Sequence, residues 1–591
     1  MFTRKQPTCV RPYANRTHKA APRQQRGAVA VLAAIWVAVA MAALGAIDIG
    51  NFYFARRDLQ RSADLAATAA AETIGSAGGC TAATTSAQGA AGANGLPTTG
   101  TVAVTCGRWD PTSNAGSTYF STTGTPQNAA QVTVSEQVPY FFMGPARTLS
   151  ATAIAQATNV GSFSVGSGLL SLGGSMCQAN GTPTAGAAAQ AGILNAILGG
   201  LLNTSLSLSA VSYCGLANVG VKVSDLMVAA NVATVDQLLQ LPINAGSLAA
   251  LMVTALSRTT VASVVLQAGQ SAMQSINLAS IPGTPTFPLG QTAGSTTAGV
   301  ISVSLANSQA ALNAVINPLQ ALIVAAEIAQ VGKPAINVAA GLTVPGVAGV
   351  TLSLQVIQPA VVAIGEAGKN AAGVWRTQAQ TAQIQTTLNV NVGSAGTFLG
   401  ALLQVNLPLS IQVATATSWL QSTQCATTLA ASRSTIATKP GLATLTVGST
   451  SGPACSSPAT LANLLGLITV TACGSAPVAP PGQQTQVFDG NTNLVSGSTP
   501  NSNNVGLAVA NALTTLNQTL TSTLSVNIIG INLGLGALLA PITSAVLAIL
   551  SPVLTALNQL LVPLLQLLGV QLGVASVTDL SLSCGVANLV N

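Results

Sequence analysis

The chain has 591 residues, only 5% of them charged and 3% aromatic, with a formal charge of +7. Positions 1–27 hold seven basic residues and no acid, whereas from Ser62 onward nine basic residues face ten acidic ones. The basic excess therefore belongs to a tail and not to a nucleic-acid surface on the body, and the high apolar content argues against charge-driven disorder.

Lys and Arg ahead of a first apolar segment keep that side of a membrane cytoplasmic, so 1–27 reads as a basic cytoplasmic tail. Residues 28–47, AVAVLAAIWVAVAMAALGAI, carry no charge. As a helix they span about 30 Å, the hydrocarbon thickness of a bilayer. Lipid offers the backbone no partners, so the run is predicted to be a transmembrane helix. A cleaved secretory signal is the rival reading, with Ala43-Leu44-Gly45 as its cleavage site. Signal cores, however, are usually about 7–15 residues long.

Residues 48–74 continue as an amphipathic helix. Phe52, Leu59, Ala63, Ala66, Ala70 and Ile74 recur at helical spacing, with Arg57, Asp58, Arg61 and Asp64 off that seam. An Ala seam admits close approach by the chain's own sheet or by a partner helix. The helix is expected to end near Gly75-Ser76-Ala77-Gly78-Gly79.

Gly27, Asp48, Gly50, Tyr53, Arg57, Leu59, Gln60, Ala63, Asp64 and Ala66 form a pattern that resembles the N-terminal segment of TadG-like proteins, assembly components of the bacterial Flp (tight-adherence) pilus. The resemblance runs from Arg26 to Ala71; beyond it, general layout and a Cys-Gly ending at Cys584 are the shared features. It implies a single-pass inner-membrane protein with a periplasmic body, other pilus-assembly proteins as partners, and no enzymatic activity. Two features depart from relatives. No Asp-x-Ser-x-Ser metal triplet occurs, since Asp110-Pro111-Thr112-Ser113 has the wrong spacing. The fifth residue after Gly27 is Leu32, not the Glu of a cleaved pilin.

Cysteine usage fits export. Cys9 sits in the tail; Cys80, Cys106, Cys177, Cys214, Cys425, Cys455, Cys473 and Cys584 all follow the apolar run. These eight allow 105 pairings, of which the sequence-near Cys80–Cys106 and Cys177–Cys214 are favoured. Without a Cys-x2-Cys spacing, and with no His in the body, a zinc site is not expected.

Residues 75–160 read as a small β-rich module, with Val102, Val104 and Cys106, then Val132, Val134 and Val138, alternating with polar positions. Residues 161–425 read as a mixed body, helical to about residue 340 and then β. Thr234-Val235-Asp236-Gln237 is a capping box; Ser247 is placed as the cap of a helix over 248–256, and Pro318 as an interruption in a helix over 307–331. Residues 384–392 and 405–413 alternate cleanly, joined by a hairpin connection at 393–400, and Pro408 assigns the second to a sheet edge. Residues 426–525 are expected to be loop-rich, with 476–504 as a linker. Residues 526–591 read as an apolar helical segment ending in a strand. Its uncharged stretch 533–557, with Pro541, Pro552 and Pro563 at 11-residue spacing, is long enough for a second span, but no Lys or Arg follows Lys439 to anchor one. A short echo, Leu206-Ser207-Leu208-Ser209 to Cys214-Gly215 and Leu580-Ser581-Leu582-Ser583 to Cys584-Gly585, suggests a strand ending in a cysteine-bonded turn.

The chemistry of an enzyme is missing from this pattern. The lone histidine, His18, lies in the tail, acids are widely spaced, and phosphate-binding, dinucleotide and calcium-loop motifs are absent. No cofactor, small-molecule substrate or nucleic acid is expected. The overall expectation is an α+β protein: a transmembrane helix extended into the periplasm, then mixed sheet and helix with disulfides. Its function would be non-enzymatic, as a structural or docking part of Flp pilus assembly. The alternative is a membrane-anchored, adhesin-like binding protein outside any pilus.

Overall fold

The computed structural model describes residues 26–166, 177–338, 349–392, 403–532 and 576–590, apart from short breaks inside these ranges, together with Leu554. Helix α1 runs unbroken from Arg26 to Ile74. At about 1.5 Å per residue it is a rod of about 73 Å, roughly twice what a bilayer core needs. Its apolar first part is unburied, and from Leu59 onward one face is buried. Among the described residues the chain thus has one helix long and apolar enough to span a bilayer, at its N-terminal end, continuing into an α+β body.

The turn at Gly75–Gly78 reverses the chain into α2 (Gly79–Ala93), which packs on α1. Helix here corrects the expectation of strands immediately after residue 75. Ala83, Ala87 and Ala91 are buried at four-residue spacing, a weak helical seam hidden in a Gly- and Thr-rich stretch. Four antiparallel strands follow: β1 (Thr101–Trp109), β2 (Phe120–Ser121), β3 (Ala129–Val138) and β4 (Arg147–Gln156). The sheet order is β2-β1-β3-β4, and the far C-terminal strand Asn588–Leu589 is added beside β4. Helices α1 and α2 cover this sheet, enclosing Ala63, Ala66, Ala70, Val132, Val134 and Ala153.

Strand β5 (Val160–Gly166) begins a second sheet, lying between Ser576–Ser583 and Val362–Gly365. The largest sheet carries Gly349–Gln358, Gln383–Val392 and Leu403–Val413 as neighbours. As their alternation predicts, Ile384, Leu388, Val390, Leu407, Leu409 and Ile411 are buried. Helices Ala187–Leu202, Ala245–Leu256 and Pro318–Gln330 share the same large core.

Several local expectations are revised. Thr234 caps Val235–Leu239 with the predicted box to Gln237. For the next long helix, however, the cap is Asn244, and Ser247 is its reciprocal partner three residues in. Pro318 begins its helix, capped by Asn317, so its missing N–H costs no ladder bond. Pro408 is not on an edge strand. Its strand pairs with Gln383–Val392 on one side; on the other, residues 403–405 meet one strand and 409–413 another, and Pro408 falls in the gap between them.

The span 426–525 is not loop-rich. It holds strands including Arg433–Lys439, Ala443–Val447 and Ile468–Ala472, and the helix Val505–Thr523. Even the expected linker pairs: Gly474–Val478 with Ala443–Val447, and Gln484–Asp489 with Arg433–Thr438. These strands are short and rich in Ser, Thr and Ala, so their pattern is weak and remote ladders define them. The echo is not a structural repeat, since Ala210–Ala217 is a helix and Ser576–Ser583 a strand. Residues 533–557 lie outside the described residues except Leu554, which is buried.

Cys80 is bonded to Cys106 and Cys177 to Cys214, with Cα separations of 5.9 and 5.5 Å. A third bridge, Cys425–Cys584, spans 159 residues, and Cys473 is also disulfide-bonded. Closing so long a loop removes much of the unfolded chain's freedom, so Cys425→Ser should cost about 3–5 kcal/mol. Denaturant unfolding of the oxidised variant against wild type measures this, and non-reducing peptide mapping should recover the 425–584 link.

Glu327 is fully buried and accepts the Ala360 N–H at 2.9 Å. Burial pushes its carboxyl up to about 7, against the lowering effect of that hydrogen bond. The folded state therefore binds a proton that the unfolded state releases near pH 4.5. This contribution is present below that pH and is lost as pH rises to about 7. Urea titrations across this window should show stability falling with pH, with a shallower fall in Glu327→Gln.

Candidate membrane-proximal docking site

The apolar run ends at Ile47, and the next residue is an acid. Asp48 is nonetheless 2% exposed. Its Oδ1 accepts the Phe141 N–H at 2.8 Å and its Oδ2 the Phe142 N–H at 3.3 Å. One turn on, the Phe52 ring lies 4.5 Å from that of Tyr140. The β3–β4 connection is thereby fastened to α1 where the helix leaves its apolar segment. A carboxylate holding two backbone N–H groups is a charge-assisted contact, stronger than a neutral one.

Further along, Leu59, Ala63 and Ala66 are buried, the two alanines completely. Gln60 donates to Asp64 Oδ1 at 2.8 Å and reaches the Thr152 carbonyl of β4 at 3.4 Å. Ser86 of α2 donates to the Ala69 carbonyl at 3.0 Å. The Ala seam is thus occupied by the chain's own sheet and α2, so it is not the open docking face that a partner helix would need. The opposite side is open: Tyr53, Phe54, Arg56, Arg57, Asp58 and Arg61 are exposed. A Cβ at Gly27 or Gly50 would meet nothing within 4 Å, so neither glycine packs closely against the rest of this chain.

Sequence reasoning missed the Tyr140-Phe141-Phe142 run as a partner of Asp48. Three consecutive aromatics in a chain with 3% aromatic content were the available signal. It also missed the link between this module and the body. Buried Arg108 on β1 donates from Nε and Nη2 to Asp110 at 3.2 and 3.1 Å and from Nη1 to Glu366. Burial would raise the Asp110 carboxyl, but hydrogen bonds from Thr112 and the Arg108 charge outweigh it and hold it below its ordinary value. Beside this cluster a pocket of about 500 Å³ opens between Asp110 and Thr112 on one side and Asn370, Trp375, Arg376 and Gln380 on the other.

The architecture defines a class: a membrane protein with one N-terminal span and a disulfide-braced α+β body gripped at the point of exit. Residues 27–73 match the family model described as "Putative Flp pilus-assembly TadE/G-like". Residues 67–155 match the adjoining model, "Putative Tad-like Flp pilus-assembly". Over these residues the chain is similar to TadE/G-like Flp pilus-assembly proteins, in line with the motif from Gly27 to Ala66, and the matches support involvement in pilus assembly. No curated protein and no solved structure matches the chain. The two matched segments meet within α1. Together they cover α1, α2 and β1 to β4, the unit that holds the site.

Leucine in place of an interior seam alanine must displace the sheet. Ala66→Leu should destabilise the protein by about 1–3 kcal/mol, whereas Leu65→Ala on the open side should stay within about 0.5 kcal/mol. Thermal unfolding of the detergent-solubilised full chain distinguishes them.

Proposed function

We propose that the chain is a non-enzymatic, inner-membrane component of Flp pilus assembly, with a cytoplasmic tail and a periplasmic body that acts as a structural or docking part. The observation that carries this is the grip on α1. Asp48 and the Ala seam join the span to the body as one lever, so that force or position at the membrane is passed directly to the folded mass. The open face of α1, from Tyr53 to Arg61, is where other assembly proteins would meet it. Orientation rests on the seven basic residues preceding the span. A periplasmic body is consistent with its disulfides, which persist in oxidising compartments.

The pocket at Trp375 and Arg376 favours a second reading, a membrane-anchored binding protein outside any pilus. Its wall of Asp110, Thr112, Asn370 and Gln380 would suit a polar ligand such as a glycan.

Deletion of the gene in its host should abolish surface Flp pili, and the full chain should restore them. Assembly should not return with a chain carrying Ala38→Arg and Ala42→Arg, which spoil the span. Normal piliation of the deletion strain, with loss of glycan adhesion instead, would favour the second reading. Protease added to spheroplasts should degrade the body; a protected body overturns the orientation.

A further inference from the structure

The first described turn of the β3–β4 connection carries Phe141 and Phe142, which are 60% and 56% exposed, with ring centroids 6.3 Å apart. Adjacent exposed phenylalanines call for an explanation in a body that buries Phe163, Phe287 and Phe488. Their place is set by Asp48, the first residue beyond the apolar run, which accepts both of their N–H groups. They therefore sit level with the end of the span. Tyr53 and Phe54, 70% and 65% exposed, lie five and six residues further along α1, about 8–9 Å up the helix axis. Exposed Arg147 starts β4 at the same end of the sheet, and exposed Arg56 follows on the helix.

This is the composition and depth of a membrane interface. Aromatic rings concentrate where hydrocarbon gives way to headgroups, and cationic side chains reach from there to lipid phosphate. We propose that the 140–142 turn is an interfacial foot: Phe141 and Phe142 enter the headgroup–acyl boundary of the same bilayer that α1 crosses. The occupant of this apolar surface is lipid, because the surface is continuous with the span itself. The inference rests on the membrane-anchored reading and adds a second point of contact to it. With two points instead of one, the body cannot swing about the exit of α1, and its height above the bilayer is set. Asp48 acts as the positioning residue. It is not lipid-facing, and it holds the turn at the depth where the rings are soluble.

The sheet supplies an internal control. β1 and β3 pair from Thr101–Ser135 near the foot to the Gly107–Ala129 pair at the other end, and Trp109 pairs with Phe120 beyond that. Tyr119, 42% exposed, is therefore an exposed aromatic about 25 Å or more from the bilayer.

The test uses the full chain in nanodiscs of phosphatidylethanolamine and phosphatidylglycerol. The photoreactive residue p-benzoylphenylalanine replaces Trp36, Phe141, Phe142 or Tyr119 in turn, and lipid adducts are read by mass spectrometry. Adducts are expected at Trp36, Phe141 and Phe142 and not at Tyr119. Adducts at Trp36 without any at Phe141 or Phe142 overturn the foot while leaving the span intact. Cross-links from 141 and 142 to protein in place of lipid overturn it equally and reassign the turn to a partner. Absence of adducts at Trp36 sinks the membrane reading itself. In Asp48→Asn, which keeps one acceptor and loses the second, lipid adducts at Phe142 should fall while those at Trp36 hold. An unchanged yield at Phe142 removes the positioning role from Asp48.

Discussion

One helix must satisfy two solvents. The part of α1 up to Ile47 needs apolar side chains on every face, because lipid surrounds it. The part beyond Asp48 needs one face narrow enough to lie against a sheet and another that tolerates water. Alanine meets the second need at little cost. Ala63, Ala66, Ala67 and Ala70 are fully buried, and the sheet opposite them is itself built largely from Ala and Val. Small residues on both sides allow the backbones to approach closely, and they lose almost no side-chain entropy when ordered. The contact is extensive without bulky residues, which explains how a chain with few aromatics still builds a firm junction.

That junction is closed by the other end of the chain. Asn588–Leu589 pairs with β4, and Ser576–Ser583 pairs with β5, so residues separated by over four hundred positions share a sheet. The Cys425–Cys584 bridge holds the return strand against the body. Gly585 follows immediately, where a Cβ would come within 2.5 Å of the Thr158 backbone. The Cys-Gly pair thus has a physical reason: a bond that fixes the strand, then a residue small enough to pass the neighbouring chain. Arg108 and Glu366 supply a polar link between the same two regions, satisfied by Asp110 and by the Pro126 carbonyl. Breaking such a buried cluster from one side leaves a charge without compensation, so it favours one arrangement of module and body.

The elements that could be read from sequence are those whose cause is local. The uncharged run, the seam from Leu59 to Ile74, the Thr234 box and the alternation at 384–392 and 405–413 each carry their own periodicity. Cys80–Cys106 and Cys177–Cys214 were also legible, because neighbours in sequence are often neighbours in space. What escaped depends on remote partners. Pro408 reads as an edge residue until its far side is seen to be shared by two strands with a gap between them. The Ser- and Thr-rich strands after residue 430 carry little apolar pattern and are defined by ladders to distant segments. In the candidate site, Asp48 was singled out by its motif, yet its partners lie more than ninety residues away, and no spacing rule points to them.

The place of that acid explains why the motif joins an apolar helix to a folded module. A carboxylate beside hydrocarbon is unfavourable when it lacks partners, so an acid at this depth must be lifted into water or bonded within the protein. Bonding it to two N–H groups on the β3–β4 connection solves the local problem, and the solution has a structural consequence. The same bonds bring a remote turn of the sheet to the boundary of the span. A longer polar side chain at position 48 could reach water alone and would leave the turn unattached. The short side chain of Asp, set on the face that meets the sheet, makes attachment the favourable outcome. The end of the span and the beginning of the body are therefore one interaction, and the seam from Leu59 to Ile74 extends its direction along about four turns of helix.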